Sequence, residues 1–465
     1  FALVWYKDQL YGLNSSGFAP KNISVSALKE RGYSKIPSYG VIPVNVPGAP
    51  AGWVALNKKF GQLSLEECMS QGISYAENGY AVQPNVGRLW DEAFHIYSKF
   101  KDSEEFSGWF KTFAPDNRPL KIGEVFRNQD MANTLRLIAK TNGEAFYTGE
   151  LAEKIDAFMK KYNGFLSIDD LAKFESEWVE PISVNYRGYD VWEIPPNGHG
   201  ITVLMALNIL KGFDFVERDT VETLHKQIEA LKLSFIDTME YITDPRFMKV
   251  TAEQLLSERY ANDRRALIND MALDPKVGDP TYSGTVYFAT ADKDGNMVSM
   301  IQSNFRGFGS GIVVPGTGIS LHDRGENFCF DENHPNAIAG GKKPYHTIIP
   351  GFLTKDNEAV GPFGIMGGWM QPQAHMQVLM NTIDFHMNPQ AALDATRWQW
   401  IGGKTVEVEQ DTPNHIIKKL QRMGHDIKVQ PDPYHMGRGQ IIWRDKNGVL
   451  IGGTEKRTDG MIASW

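Results

Sequence analysis

The residues best suited to chemistry lie in two short stretches. The first is Gly284-Thr285-Val286-Tyr287-Phe288, followed by Asp292-Lys293-Asp294-Gly295-Asn296. It sets the hydroxyl of Thr285 directly after a glycine. The second is Gly367-Gly368, which closes the apolar run Phe363–Met366 and lets a backbone approach a ligand closely. Each stretch also has an ordinary reading: a β-branched residue opening a strand, and a tight turn after one. The histidines are scattered, and a lone histidine is usually a surface or hydrogen-bonded core residue.

Absences narrow the chemistry. There is no HExxH, no CxxC pair and no EF-hand loop, so the sequence signals no dedicated metal site. There is no GxxxxGK[ST] phosphate loop, and no serine sits in GxSxG. Gly307-Phe308-Gly309-Ser310-Gly311 lacks the GxGxxG spacing and reads as a tight turn. Cys68 and Cys329 make no disulfide scaffold and set no redox compartment.

The elements that must position these residues follow from composition and periodicity. In 465 residues, 42% are hydrophobic and 11% aromatic, which supplies a sizeable core and excludes disorder as the main state. The length allows two or three domains, or one large layered domain. A net charge of −8 argues against a nucleic-acid binder, which needs a basic field for phosphates. Ile201–Leu210, the longest apolar run, is half of a membrane span and predicts a buried helix in a soluble chain. The chain opens at Phe1 in the strand-like run FALVWY, so no targeting signal can be read and the compartment stays unknown.

Character changes near residue 284. Before it, Leu224, Ile228, Leu231, Phe235, Met239 and Ile242 recur at helical spacing, predicting a helix over Val221–Ile242. Gln129–Lys140 reads as a helix stopping at Asn142-Gly143, and Leu166–Phe174 as a short helix capped by Ser167. After it, Thr285–Ala291 and Met297–Gln302 flank an Asp-Gly turn and predict a hairpin. Further strand pairs are predicted at Gln440–Trp443 with Val449–Gly453, at Thr347–Leu353 with Val360–Met366, and at Phe1–Tyr6 with Leu10–Leu13. Pro195-Pro196-Asn197-Gly198 reads as a turn. Strands at both ends with helices between fit a sheet-on-sheet core covered by helices.

Further segments carry a resemblance. Val46-Pro47-Gly48-Ala49-Pro50-Ala51-Gly52-Trp53, Phe146-Tyr147-Thr148-Gly149-Glu150-Leu151-Ala152, and Tyr186-Arg187-Gly188-Tyr189 with Pro195-Pro196 stand in order before the threonine. The Thr285-to-DKDGN spacing, Phe308-Gly309-Ser310-Gly311 and Met366-Gly367-Gly368 follow. Over nearly its whole length the chain resembles the γ-glutamyltransferase (γ-glutamyltranspeptidase) family of N-terminal nucleophile hydrolases. The family's Gly-rich N-terminal segment is missing, as expected of a chain that starts late.

The resemblance implies an α+β fold, a four-layer αββα sandwich of two stacked, mainly antiparallel sheets. It implies a precursor that cuts itself between Gly284 and Thr285. Residues 1–284 become a helix-rich large chain and 285–465 a strand-rich small chain, together one structural domain. Freed by cleavage, the α-amino group of Thr285, with an ordinary pKa of roughly 7.7–8.0, can take the hydroxyl proton. Attack on a γ-glutamyl amide of the glutathione type then gives an acyl-enzyme, resolved by water or by an amine. Gly367 and Gly368 would donate backbone N–H groups to the oxyanion, and Ser303 would support the nucleophile. No metal or organic cofactor is implied. The implied partners are a small γ-glutamyl or N-acyl substrate and the other chain of the same precursor, with a homodimer of heterodimers left open.

The expected substrate pocket departs from the best-known transferases. Ser16 stands where they carry a carboxylate-gripping arginine, His346-Thr347 where they carry a serine pair, and Asn327 where an aspartate binds the donor amino group. An amide in place of that carboxylate removes a full charge partner. These changes resemble the acylase-like branch, the cephalosporin acylases. Arg324 or Arg306 could instead grip a carboxylate, and His322, His346, Thr347 and Phe305 complete the substrate-binding candidates. Two alternatives therefore stand beside the γ-glutamyl reading: an acylase on other N-acyl substrates, and a non-enzymatic binding protein on the same fold.

Overall fold

The computed structural model describes residues 1–274 and 284–465. The last residues expected of the large chain, up to 283, lie outside the described residues. The chain forms two compact units, one of Phe1–Leu13, Trp178–Gln302 and Tyr345–Trp465, the other of Asn14–Glu177 and Ser303–Pro344.

The strands that matter are β1 (Ala2–Tyr6), β2 (Gln9–Asn14), β3 (Glu177–Val179), β4 (Ile182–Tyr186), β5 (Tyr189–Glu193), β6 (Gly284–Ala291), β7 (Met297–Phe305), β8 (Gly351–Lys355), β9 (Glu358–Met366), β10 (Arg438–Arg444) and β11 (Leu450–Thr454). One sheet has the order β3-β2-β1-β7-β6 and the other β11-β10-β9-β8-β5-β4. The registers described in these two sheets are all antiparallel; for example, Leu3 pairs with Ser299 and Ile365 with Gly439.

In the first unit the two sheets lie face to face. Leu3, Trp5, Tyr287, Ile301, Phe352 and Ala359 are buried between them. The Trp5 and Phe352 rings stack with centroids 5.9 Å apart. The opposite face of the six-stranded sheet packs on α1 (Gly200–Leu210), α2 (Val221–Tyr241) and α3 (Met370–Ile383). Every residue of α1 is buried, as its unbroken apolar run requires. Two mainly antiparallel sheets with a helical layer are the α+β arrangement the resemblance implies.

The second unit is helix-rich, with helices Ala49–Phe60, Leu65–Asn78, Pro84–Tyr97, Gln129–Lys140 and Glu150–Lys161. Its core is aromatic: the Phe308 ring lies 4.5 Å from Phe113 and 5.5 Å from Trp109.

Two expectations need correction. No strand runs over 347–350, because Pro350 has no N–H to donate and the N–H of Ile349 goes to the Gln371 side chain at 3.0 Å. The helix-rich first part also contains strands the sequence reading missed, β3, β4 and β5.

Candidate active site

Thr285 is the second residue of β6. Alternation along the strand turns Thr285 and Tyr287 inward and leaves Val286 and Phe288 exposed. Thr285 itself is 8% exposed, close to the surface yet packed. The Tyr287 hydroxyl shares a 2.9 Å hydrogen bond with Ser299 on β7, and burial pushes its pKa up. Its ring lies over Gly364 of β9, where a Cβ would come within 2.2 Å of it.

Gly367 and Gly368 follow β9 in the same unit. Their φ angles are +147° and +60°, a region L side chains rarely adopt. The turn feeds straight into α3: the N–H groups of Met370 and Gln371 donate to the carbonyls of Gly367 and Gly368, each at 3.1 Å. The glycines' own N–H groups have no hydrogen-bond partner among the described residues. Gly437 backs the turn, its Cα 3.2 Å from where a Gly367 Cβ would stand.

His346 and Thr347 belong to this unit too, and both are buried. The His346 backbone is held on both sides, donating to Asn197 at 2.9 Å and accepting from His199 at 3.0 Å. Its ring packs 4.8 Å from Phe1.

The remaining candidates fall in the second unit. Ser303 accepts the Phe305 N–H on its Oγ at 2.8 Å at the end of β7, where Phe305 has φ +71°. The Arg324 guanidinium is buried 4.6 Å above the Phe305 ring. The His322 Nδ1 accepts the Arg324 N–H at 3.1 Å. Burial, then the Arg324 charge, lowers the imidazole to about 4, so it is neutral near pH 7. Burial also raises Asp323 and lowers Arg324. Arg306 is not available as a substrate fork, because its guanidinium is already bidentate on Glu326 at 2.7 and 2.6 Å. Asn327 closes a short 3-10 turn, and its buried Oδ1 has no hydrogen-bond partner among the described residues. Ser16 is buried, with its N–H and hydroxyl both on Asn14 Oδ1.

The structure thus brings Thr285, Gly367, Gly368, His346 and Thr347 into one unit, and Ser303, Phe305, His322, Arg324 and Asn327 into the other. Sequence reasoning missed Glu193 and His375, a buried pair in the first unit. It also missed the buried group His225, Glu229 and His425, whose ligand-type atoms lie within 4.8 Å of one another. Their protons are accounted for without a metal. His225 Nε2 donates to the Asn269 carbonyl at 2.6 Å, and its Nδ1 accepts from His425 Nε2 at 2.8 Å. Lys232 Nζ meets Glu229 at 2.8 Å. No sequence motif marks these groups: Glu193 and His375 lie far apart in the chain, and His425 is distant from the His225 and Glu229 that share one helix.

Stacked antiparallel sheets bearing a helical layer define the class as an N-terminal nucleophile hydrolase fold. Comparison with solved structures agrees: the crystal structure of cephalosporin acylase from Bacillus halodurans matches with a TM-score of 0.97 and 57% identity, over 100% of this chain and 86% of that one. The family model for gamma-glutamyltranspeptidase matches residues 1–465, and the chain belongs to that family. Among curated relatives, the glutathione hydrolase-like YwrD proenzyme of Bacillus subtilis (strain 168) is 35% identical over 96% of this chain and 85% of its own length. The acylase ACY 1 proenzyme of Pseudomonas sp. (strain SE83) is 31% identical over 90% and 75%. Among the described residues, no helix is long and apolar enough to cross a membrane.

Proposed function

We propose that the chain is a self-cleaving N-terminal threonine amidohydrolase with Thr285 as nucleophile. The observation that carries this reading is the pairing, within one unit, of an inward threonine that opens a strand after glycine with a Gly-Gly turn whose N–H groups have no hydrogen-bond partner among the described residues. Attack by the Thr285 hydroxyl on the Gly284 carbonyl, followed by water, releases the α-amino group. That amine then acts as the base for the same hydroxyl. The acyl carbon becomes tetrahedral, and the Gly367 and Gly368 N–H groups receive its oxygen. Losing one such donor costs about 2.7–4 kcal/mol of transition-state stabilisation. Water or an amine displaces the ester and restores the hydroxyl. The proenzyme names of the relatives support a precursor.

The donor is a small N-acyl amide whose acyl group bears a distal carboxylate, with Arg324 proposed as its partner. A γ-glutamyl amide and a glutaryl amide share that carboxylate and differ in the α-ammonium. Asn327 favours the second, acylase-like reading, because a neutral amide binds an ammonium less strongly than a carboxylate does. The similarity to cephalosporin acylase supports it.

Intact-mass analysis with N-terminal sequencing tests the nucleophile. Wild type is expected as two chains divided at Gly284–Thr285, and Thr285→Ala as one uncut, inactive chain. Normal cleavage of that variant would sink the assignment. Comparing release from γ-glutamyl and glutaryl p-nitroanilides then decides the donor.

A further inference from the structure

We infer that His375, braced by Glu193, is a positioning residue for the Gly367-Gly368 turn. This rests on the acyl-transfer reading above. His375 lies on α3, the helix that leaves the turn, and reaches back to β9, the strand that enters it. Its Nε2 accepts the N–H of Ile365 at 3.0 Å, two residues before Gly367. That N–H needs such a partner. The pairing of β9 with β8 ends where Phe363 meets Gly351, so strand pairing on that side has stopped before Ile365.

Accepting an N–H fixes the tautomer. Nδ1 carries the ring proton and points to Glu193 Oε1 at 3.3 Å. Glu193, on β5, is itself confined: a Cβ on Gly200 would stand 2.9 Å from both its Cβ and its Oε2. Both side chains are fully buried. Burial lowers His375 to about 3 and raises Glu193 well above the carboxylate range.

A buried polar pair of this kind is costly, and apolar residues of similar volume would fill the space more cheaply. The pair supplies a directed acceptor at a fixed distance from the strand end. With Ile365 tied to α3 in this way, strand, turn and helix form one closed hairpin. The directions of the Gly367 and Gly368 N–H groups are then set by the imidazole rather than by the turn alone, as a preorganised oxyanion site demands.

Three substitutions test this in the matured protein, using whichever of the two anilides wild type turns over. His375→Phe keeps the ring volume but has no acceptor. His375→Gln places an amide oxygen near the former Nε2. Glu193→Leu keeps the imidazole but removes its brace. His375→Phe is expected to lose about 10–100-fold in kcat with KM within about twofold, less than deletion of a donor outright. His375→Gln is expected to recover most of that loss, and Glu193→Leu to show a several-fold fall in kcat at unchanged KM. If His375→Phe does not fold, the Gln and Leu variants carry the test. A folded His375→Phe with wild-type kcat, or a loss that Gln does not recover while Glu193→Leu is silent, overturns the inference. An uncut, unreactive wild type instead overturns the acyl-transfer reading itself, before any variant is made.

Discussion

The Tyr287 ring, on the strand that carries Thr285, rests directly on the backbone of Gly364, on the strand that leads to Gly367. The glycine is required by space rather than by backbone angle, because a methyl group there would lie 2.2 Å from the ring. Gly364→Ala is therefore expected to force the two sheets apart, at about 1–3 kcal/mol of stability. Thermal unfolding measures the loss. An unchanged midpoint would mean that the ring can swing aside, and that this contact does not set the spacing of the sheets.

Much of this framework is legible in the sequence. The apolar spacing from Leu224 to Phe235 gives α2, and Asp-Gly between β-rich runs gives the β6–β7 hairpin. Ser167 caps its short helix as read, with Asp170 completing a capping box. The β4–β5 hairpin was missed because its two-residue turn is Arg187-Gly188, both at positive φ, where Asn-Gly or Asp-Gly is the usual signal. The His375–Glu193 pair was not legible for a different reason. Its members are 182 residues apart, and only the packing of α3 on the sheet brings them together. The motifs single out Thr285 and the glycine pair as candidates; what packs against the glycine pair is a tertiary property.

Asn327 offers a gain-of-function test of the donor. Its Oδ1 is buried without a partner among the described residues. Asn327→Asp replaces a neutral acceptor with a charged one, and a hydrogen bond to a charged group contributes about 1.5–3 kcal/mol. The ratio of kcat/KM for the γ-glutamyl over the glutaryl anilide is expected to rise about tenfold or more. A ratio that does not move would remove residue 327 from the donor site.

The Lys232–Glu229 pair makes a prediction about stability alone. Both side chains are fully buried, and Glu229 also accepts the Leu273 N–H at 3.0 Å. Removing one member strands a charge in the core, so Lys232→Met is expected to cost about 3–5 kcal/mol. The double variant Lys232→Met with Glu229→Gln should recover part of that. Because both His225 nitrogens, His425 Nε2 and Glu229 already engage protein groups, dialysis against a chelator is expected to leave the unfolding temperature unchanged. A fall on chelation, reversed by zinc, would reassign the cluster as a metal site.

Acid sensitivity follows from the imidazoles. Burial, and then the Lys232 charge, holds His425 down at about 3, far below the roughly 6.5 of an unfolded histidine. The folded protein therefore keeps this ring neutral while the unfolded chain binds a proton. The associated stability is fully present above about pH 6.5 and is lost as pH falls towards 3, at about 1.4 kcal/mol per pH unit. Asp323 and Glu193, both raised by burial, act with the opposite sign, so the total pH profile mixes several groups. The difference between wild type and His425→Gln isolates one of them, since the glutamine amide can still donate to His225. That difference in unfolding free energy is expected to shrink steadily between pH 6 and pH 4 in denaturant titrations. A difference that stays flat over this range would show that His425 is already protonated in the fold, and the neutral ring assigned to it would have to be abandoned.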